Sequence, residues 1–200
     1  MTPRPRKASD EDVFAATARV MSRVGPTKLK LSEIAAEAGL TAGALVQRFG
    51  SKRGLMLELM AALSSSTDAM FAQLRDANPS PLSALRAYAD CFAMMGESPG
   101  ALAHHLSYLQ LDLTDPDFHQ HTLAQARATR AAFRALLRDA MAAGELKTTA
   151  NIDALARAVQ VTLSGSLMTW AFYRERTAAE FMRDDLDTVL APWLVARGDT

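Results

Sequence analysis

Leu31–Phe49, LSEIAAEAGLTAGALVQRF, is the stretch that decides the fold. Leu31, Ile34, Ala35 and Ala38 recur at three and four and form one apolar stripe, which reads as a short helix stopped by Gly39. Thr41 is a good N-cap for a second helix, in which Leu45 and Phe49, four apart, face inward. Two short helices joined by a tight glycine turn describe a helix-turn-helix. Such a unit reads DNA when its first helix props the second, whose N-terminal part enters the major groove. Ala42, Gly43 and Ala44 are small enough to allow that close approach. The same pattern also describes a helical hairpin without a ligand.

Working outward, helical periodicity continues almost everywhere and no alternating strand stands out. A first helix is expected from about Ser9 to Val24, with Asp10, Glu11 and Asp12 complementing its N-terminal dipole. Val13, Phe14, Thr17, Val20, Met21 and Val24 share its inner face, and Gly25-Pro26 ends it. Beyond Gly50, Ser51 caps a helix from Lys52 to about Ala77. Breakers then delimit helices at about Leu82–Met95, Ala101–Leu113, onward to Ala143, Ile152–Arg174 and Ala178–Val195. The expectation is an all-α chain of about nine helices. An N-terminal three-helix helix-turn-helix domain with its arm (residues 1–56) precedes a larger helical ligand-binding and dimerisation domain (residues 57–200).

Composition excludes several classes. With 200 residues, 49% of them hydrophobic, the chain can bury a core and is not disordered. A lone cysteine, Cys91, forbids an intramolecular disulfide, which suits a reducing, cytoplasmic setting. Met1–Lys7 is rich in Pro and Arg with no apolar stretch after it, so no secretory signal is expected. The longest uncharged run, Ala158–Tyr173, is short and carries Gln160, Thr162 and Ser164, so no membrane partner is expected. The formal net charge of zero is a cancellation. Residues 1–60 hold ten basic and six acidic side chains, and the remainder twelve and sixteen. A basic front on an acidic body hints at a segment that faces nucleic acid.

Val13–Met60 resembles the DNA-binding domain of the TetR (tetracycline-repressor-like) family of bacterial transcription regulators. The residues that carry the resemblance are Ser32-Glu33-Ile34-Ala35-Ala36-Glu37-Ala38-Gly39-Leu40-Thr41, then Gly43-Ala44-Leu45, Phe49 and Ser51-Lys52. It implies a homodimer that binds an inverted-repeat operator in double-stranded DNA and answers to a small-molecule effector. Carried onto this sequence, the DNA-binding positions are Lys30, Thr41, Ala42, Gly43, Ala44, Val46, Gln47, Arg48 and Lys52. The chain departs from the family at Ala44-Leu45-Val46, where Thr-Leu-Tyr is usual, so two common phosphate contacts are missing. Gln47 and Arg48 are long and polar and are the best candidates for base contacts, Gln with adenine and Arg with guanine. Thr41 and Lys52 match positions that touch the backbone, and Lys30 can add a charged contact. Arg4, Arg6 and Lys7 form an arm that either adds phosphate or minor-groove contacts or is a solvated tail.

Residues past 60 carry no specific motif. The last two helices bear apolar stripes, and the resemblance pairs them across a two-fold axis. The expected interface residues are Leu155, Val159, Leu163, Gly165, Leu167, Phe181, Val189, Leu190 and Trp193; an intramolecular core is the alternative. An effector pocket is expected among the middle helices. Its candidate liners are Met60, Leu63, Phe71, Tyr88, Phe92, Met95, His105, Tyr108, Leu109, Phe118, His121 and Trp170, a wall suited to a mainly hydrophobic molecule. The four histidines lack metal-ligand spacing, so neither a metal nor another cofactor is expected. No nucleophile constellation or paired carboxylates stand out, so no enzyme is expected. The function expected is a ligand-responsive regulator of transcription, a repressor. The alternative, prompted by Ala44 and Val46, is a helical small-molecule-binding protein whose DNA binding has weakened.

Overall fold

The computed structural model describes residues 8–96 and 98–195; the arm residues Arg4, Arg6 and Lys7 lie outside them. Among the described residues there are nine α-helices and no named strand: α1 (Asp10–Lys28), α2 (Leu31–Glu37), α3 (Ala42–Phe49), α4 (Lys52–Ala77), α5 (Pro81–Ala93), α6 (Pro99–Thr114), α7 (Pro116–Ala142), α8 (Ile152–Tyr173) and α9 (Ala178–Leu190). The chain is all-α, as its periodicity predicts. Two compact units form. The first runs up to Leu63 and takes in Ala103–Thr122; the second is Ser64–Leu102 with the chain from Leu123 onward.

In the first unit, α1 opens with a capping box in which Ser9 and Asp12 exchange hydrogen bonds. The chain breaks at Gly25, where φ is 67°, a value that costs glycine nothing and other residues a clash. A side chain there would also meet the His104 ring at 3.0 Å. Helix α3 has eight residues, too few to persist alone in water. It is held by burial: Leu45 is fully buried, Phe49 nearly so, and Phe49 packs on Phe14 of α1 with ring centroids 6.0 Å apart. Val20, Ile34, Leu55 and Leu59 complete this core.

The corner from α3 into α4 depends on glycine for space. A Cβ on Gly54 would lie 2.1 Å from the Phe49 carbonyl oxygen, so no side chain fits. The Ser51 hydroxyl accepts from the Gly54 amide at 3.0 Å and caps the new helix.

In the second unit, α5, α7, α8 and α9 close around Leu85, Phe133, Leu137, Leu163, Met182 and Leu186. Arg86 pairs with Asp187, and Arg183 with Asp90, fastening α5 to α9. The final helix stops at Leu190 rather than reaching Val195 as its periodicity suggests. Pro192 cannot donate an amide and its ring crowds the preceding turn. The chain makes one 3-10 turn, Ala191–Trp193, and then extends. There the Lys147 amide donates to the Trp193 carbonyl at 2.8 Å, and the Val195 amide to Glu145 at 3.1 Å.

Gly54→Ala is expected to cost at least about 1–3 kcal/mol by overpacking the α3–α4 corner. Urea unfolding of the intact chain against the parent measures it; an unchanged midpoint would show that the corner yields.

Candidate nucleic-acid interface and effector sites

The outward face of α3 is built on three fixed points. Thr41 caps the helix, its hydroxyl accepting from the Ala44 amide at 3.1 Å. Leu45 and Phe49 fix the inner face. What remains outside is Thr41, Gly43, Val46, Gln47 and Arg48, with Ala42 and Ala44 half-buried. Val46 is 46% exposed, an apolar side chain presented to solvent beside Gln47.

Arg48, expected to be free for a base, is already engaged within the first unit. Its guanidinium pairs with Asp10, donates to the Ala8 carbonyl at 2.8 Å and lies 5.4 Å from the centre of the Phe49 ring. The helix in front is clamped too. Arg19 and Arg23 of α1 each meet Glu37 of α2 at 2.8 Å. Their hydrogen bonds, Arg19 first, hold the Glu37 carboxyl below its ordinary pKa. Three of the ten basic residues in 1–60 are therefore engaged by carboxylates of the same segment. Lys30 is exposed at the start of α2. Lys52 opens α4 and donates from Nζ to the Leu29 carbonyl at 3.2 Å.

The residues expected to line one effector pocket are divided between the two units. Phe71, Tyr88 and Phe92 form an aromatic stack in the second unit, with centroids 5.0 and 6.0 Å apart and Phe133 edge-on to both Phe71 and Tyr88. They are packed core, because each ring is filled against its neighbour. Burial pushes the Tyr88 phenol up to about 12. Trp170 is buried, its indole N–H donating to the Arg176 carbonyl at 3.3 Å, while Met95 is exposed. In the first unit Met60, His105 and His121 are half-buried, and Leu63 and Leu109 are exposed.

Tyr108 and Phe118 are the two expected liners that do border a cavity, one of about 480 Å³ within the first unit. Its other walls are Leu29 just past α1, Lys52, Arg53 and Met56 on α4, Ser107, Gln110, Leu111 and Thr114 on α6, and Asp115 after it. Arg53 donates to Asp115 at 2.9 Å and to Asp117 at 2.8 Å and sits 5.6 Å from the Phe118 ring centre. The Arg53 hydrogen bond, with smaller help from the backbone, holds the Asp115 carboxyl below its usual range. Sequence reading missed this cavity: Arg53 and Asp115 are 62 residues apart, and no periodicity links them.

The stripe expected to cross a two-fold axis is turned inward. Leu155, Val159, Leu163, Leu167 and Leu190 are buried in the second unit's own core. Phe181, Val189 and Trp193 are half-buried against it. Helix α8 instead exposes a second stripe, Val161, Gly165, Met168 and Phe172, with Phe172 82% accessible. Among the described residues, no helix is long and apolar enough to cross a membrane.

Residues 13–59 match the family model of the bacterial regulatory proteins of the tetR family. No curated protein matches the chain. Solved structures do. A TetR transcription regulator from Haloarcula marismortui superposes with a TM-score of 0.75 at 16% identity, covering 93% of this chain and 98% of that one. SmeT, the repressor of the Stenotrophomonas maltophilia multidrug efflux pump SmeDEF, gives 0.66 at 21% identity over 96% and 93%. The regulator FadR from Bacillus subtilis, solved with stearoyl-CoA, gives 0.68 at 15% identity over 92% and 98%. At such identities the likeness is one of fold. The family match, by contrast, falls on the helix-turn-helix and its flanking helices.

Proposed function

We propose that the protein represses transcription by binding an inverted-repeat operator as a homodimer, and that a mainly hydrophobic small molecule releases it. The observation that carries this reading is the division of α3: Leu45 and Phe49 are spent on the core, while Thr41, Gly43, Val46 and Gln47 face solvent. A helix anchored on one face and small or polar on the other can lie in a major groove about 12 Å wide. Gln47 is the base reader, through a two-point contact to adenine. Val46 offers its methyl groups to a thymine methyl. Lys30, Thr41 and Lys52 meet phosphates, which set register but not sequence. Arg48 acts one step back: bound to Asp10 and Ala8, it fixes the angle of α3 against α1.

The dimer uses the exposed stripe of α8. Val161, Gly165, Met168 and Phe172 lie at helical spacings of four, three and four. Gly165 has no atom within 4 Å of a would-be Cβ, which leaves room for a partner helix to approach closely. Two α8 helices packed across a two-fold axis present two recognition helices to successive turns of one face of the duplex, about 34–36 Å apart. SmeT is a repressor and FadR was solved with stearoyl-CoA. Both descriptions belong to those proteins, and they are consistent with this reading.

Gln47→Ala is expected to weaken operator binding by about 1–3 kcal/mol, roughly 5- to 150-fold, and to relax preference at one base pair. Gel shifts with the upstream region of its own gene and single-base variants measure it; equal binding by mutant and parent sinks the base assignment. With few phosphate contacts available, the slope of log affinity against log salt is expected to be shallow, about −0.9 per phosphate met. A titration from low to moderate salt reads it. Phe172→Glu is expected to shift the chain toward monomer in sedimentation velocity and to reduce operator affinity with it. A dimer that persists would move the interface elsewhere.

A further inference from the structure

The end of α1 is clasped by a side chain from far along the chain. Helical geometry fails at Gly25, so the carbonyls of the last turn before it need partners from outside the helix. For Ser22 the need is written in the sequence. The amide that an unbroken helix would bring to its carbonyl is that of residue 26, which is Pro and has none. His104 of α6 stands in, with Nδ1 2.8 Å from the Ser22 carbonyl oxygen. A carbonyl only accepts, so Nδ1 carries the proton and donates. The ring also fills the space that a side chain on residue 25 would need, since a Cβ there would fall 3.0 Å from its Cδ2 and 3.4 Å from its Cγ. Gly25 therefore has two tasks: its φ of 67° turns the chain, and its bare Cα admits the imidazole.

The chain beyond the break has little of its own to fix it. Helix α2 has seven residues, and Lys30, its N-cap, makes no side-chain capping hydrogen bond. The connector is held by burial of Leu29 and by Lys52 Nζ on the Leu29 carbonyl. Two donors, one from α4 and one from α6, thus grip backbone carbonyls on either side of the break. We propose that His104 is a positioning residue for the helix-turn-helix. By clasping Ser22 over Gly25 it sets the direction in which the chain leaves α1, and with it the placement of Lys30 and of α2, which supports α3. The consequence for operator affinity rests on the repressor reading; the placement of α2 does not.

The test uses the full-length protein with three substitutions at one position. His104→Asn puts an amide N–H where Nδ1 stands, His104→Gln carries it one carbon further from the backbone, and His104→Leu has no donor. Hydrogen exchange without DNA is read at the Glu33 and Ile34 amides, which close the first turn of α2 on the Lys30 carbonyl at 3.1 and 3.2 Å. It is expected to quicken about three- to tenfold in the Leu and Gln variants, as loss of one hydrogen bond implies, and to stay within about twofold of the parent in the Asn variant. The Leu163 and Met182 amides of the second unit are the reference, because a general loss of stability would quicken those as well. Operator affinity in gel shifts is expected to fall by a similar factor with Leu and Gln and to be kept with Asn. Exchange unaltered by His104→Leu, or an Asn variant that behaves like the other two, overturns the proposal. So does quickened exchange with parental operator affinity. Circular dichroism melts identify any variant that has failed to fold, and the imidazole nitrogen spectrum of the parent then decides. At mildly alkaline pH His104 is expected as the Nδ1–H tautomer, the minor one of free histidine; the Nε2–H tautomer overturns the clasp. Exchange altered as expected in a protein that binds no operator keeps the clasp and loses the repressor reading.

Discussion

A helix of eight residues cannot hold its own shape in water, and the first unit is organised around that constraint. Helix α3 persists because Leu45 and Phe49 are removed from solvent and because Thr41 satisfies the amide of Ala44. Its orientation then depends on what fixes its neighbours. Arg19 and Arg23 lock α2 to α1 through Glu37. Arg48 locks α3 to the start of α1. Gly54 lets α4 depart directly beneath the Phe49 carbonyl. Each device is local, and each spends a residue that a surface-charge argument would have offered to DNA or to solvent. The exposed pairs contribute little to stability individually, so their worth lies in fixing angles.

The helices were legible in the sequence because their ends are chemically marked. Gly25 breaks the first, Gly39 and Gly50 stop the second and third, Thr41 and Asn151 cap the third and the eighth, and Pro79-Ser80-Pro81 separates α4 from α5. The end of α9 was misplaced because apolar spacing continues through Trp193 while Pro192 withdraws the amide a helix needs. The choice between faces of α8 was not legible for a different reason. That helix has two apolar stripes: Leu155, Val159, Leu163 and Leu167 on one side, and Val161, Met168 and Phe172 on the other. Periodicity reveals both and ranks neither. Burial by α9 separates them, and that information resides in the tertiary fold.

Charge shows the same limit. The neutral total divides into a basic front and an acidic remainder, and the division points toward DNA. Four of the basic residues responsible, Arg19, Arg23, Arg48 and Arg53, are nonetheless committed to carboxylates within the first unit. Counting charges along a sequence cannot anticipate pairings that join residues 14, 18 or 62 positions apart. The surface presented to a phosphate backbone is therefore less basic than the count, and specificity falls more heavily on uncharged contacts such as Gln47.

The first unit also draws in Ala103–Thr122, a segment that the sequence assigns to the rear of the chain. Burial of Tyr108 and Phe118 in the first unit's core is the main reason it adheres, and Asp115 and Asp117 close on the Arg53 guanidinium beside them. The boundary between the two units therefore does not follow the order of the chain. It is drawn by which apolar side chains are buried together, and a reading of periodicity, which sees one helix at a time, carries no information about that grouping.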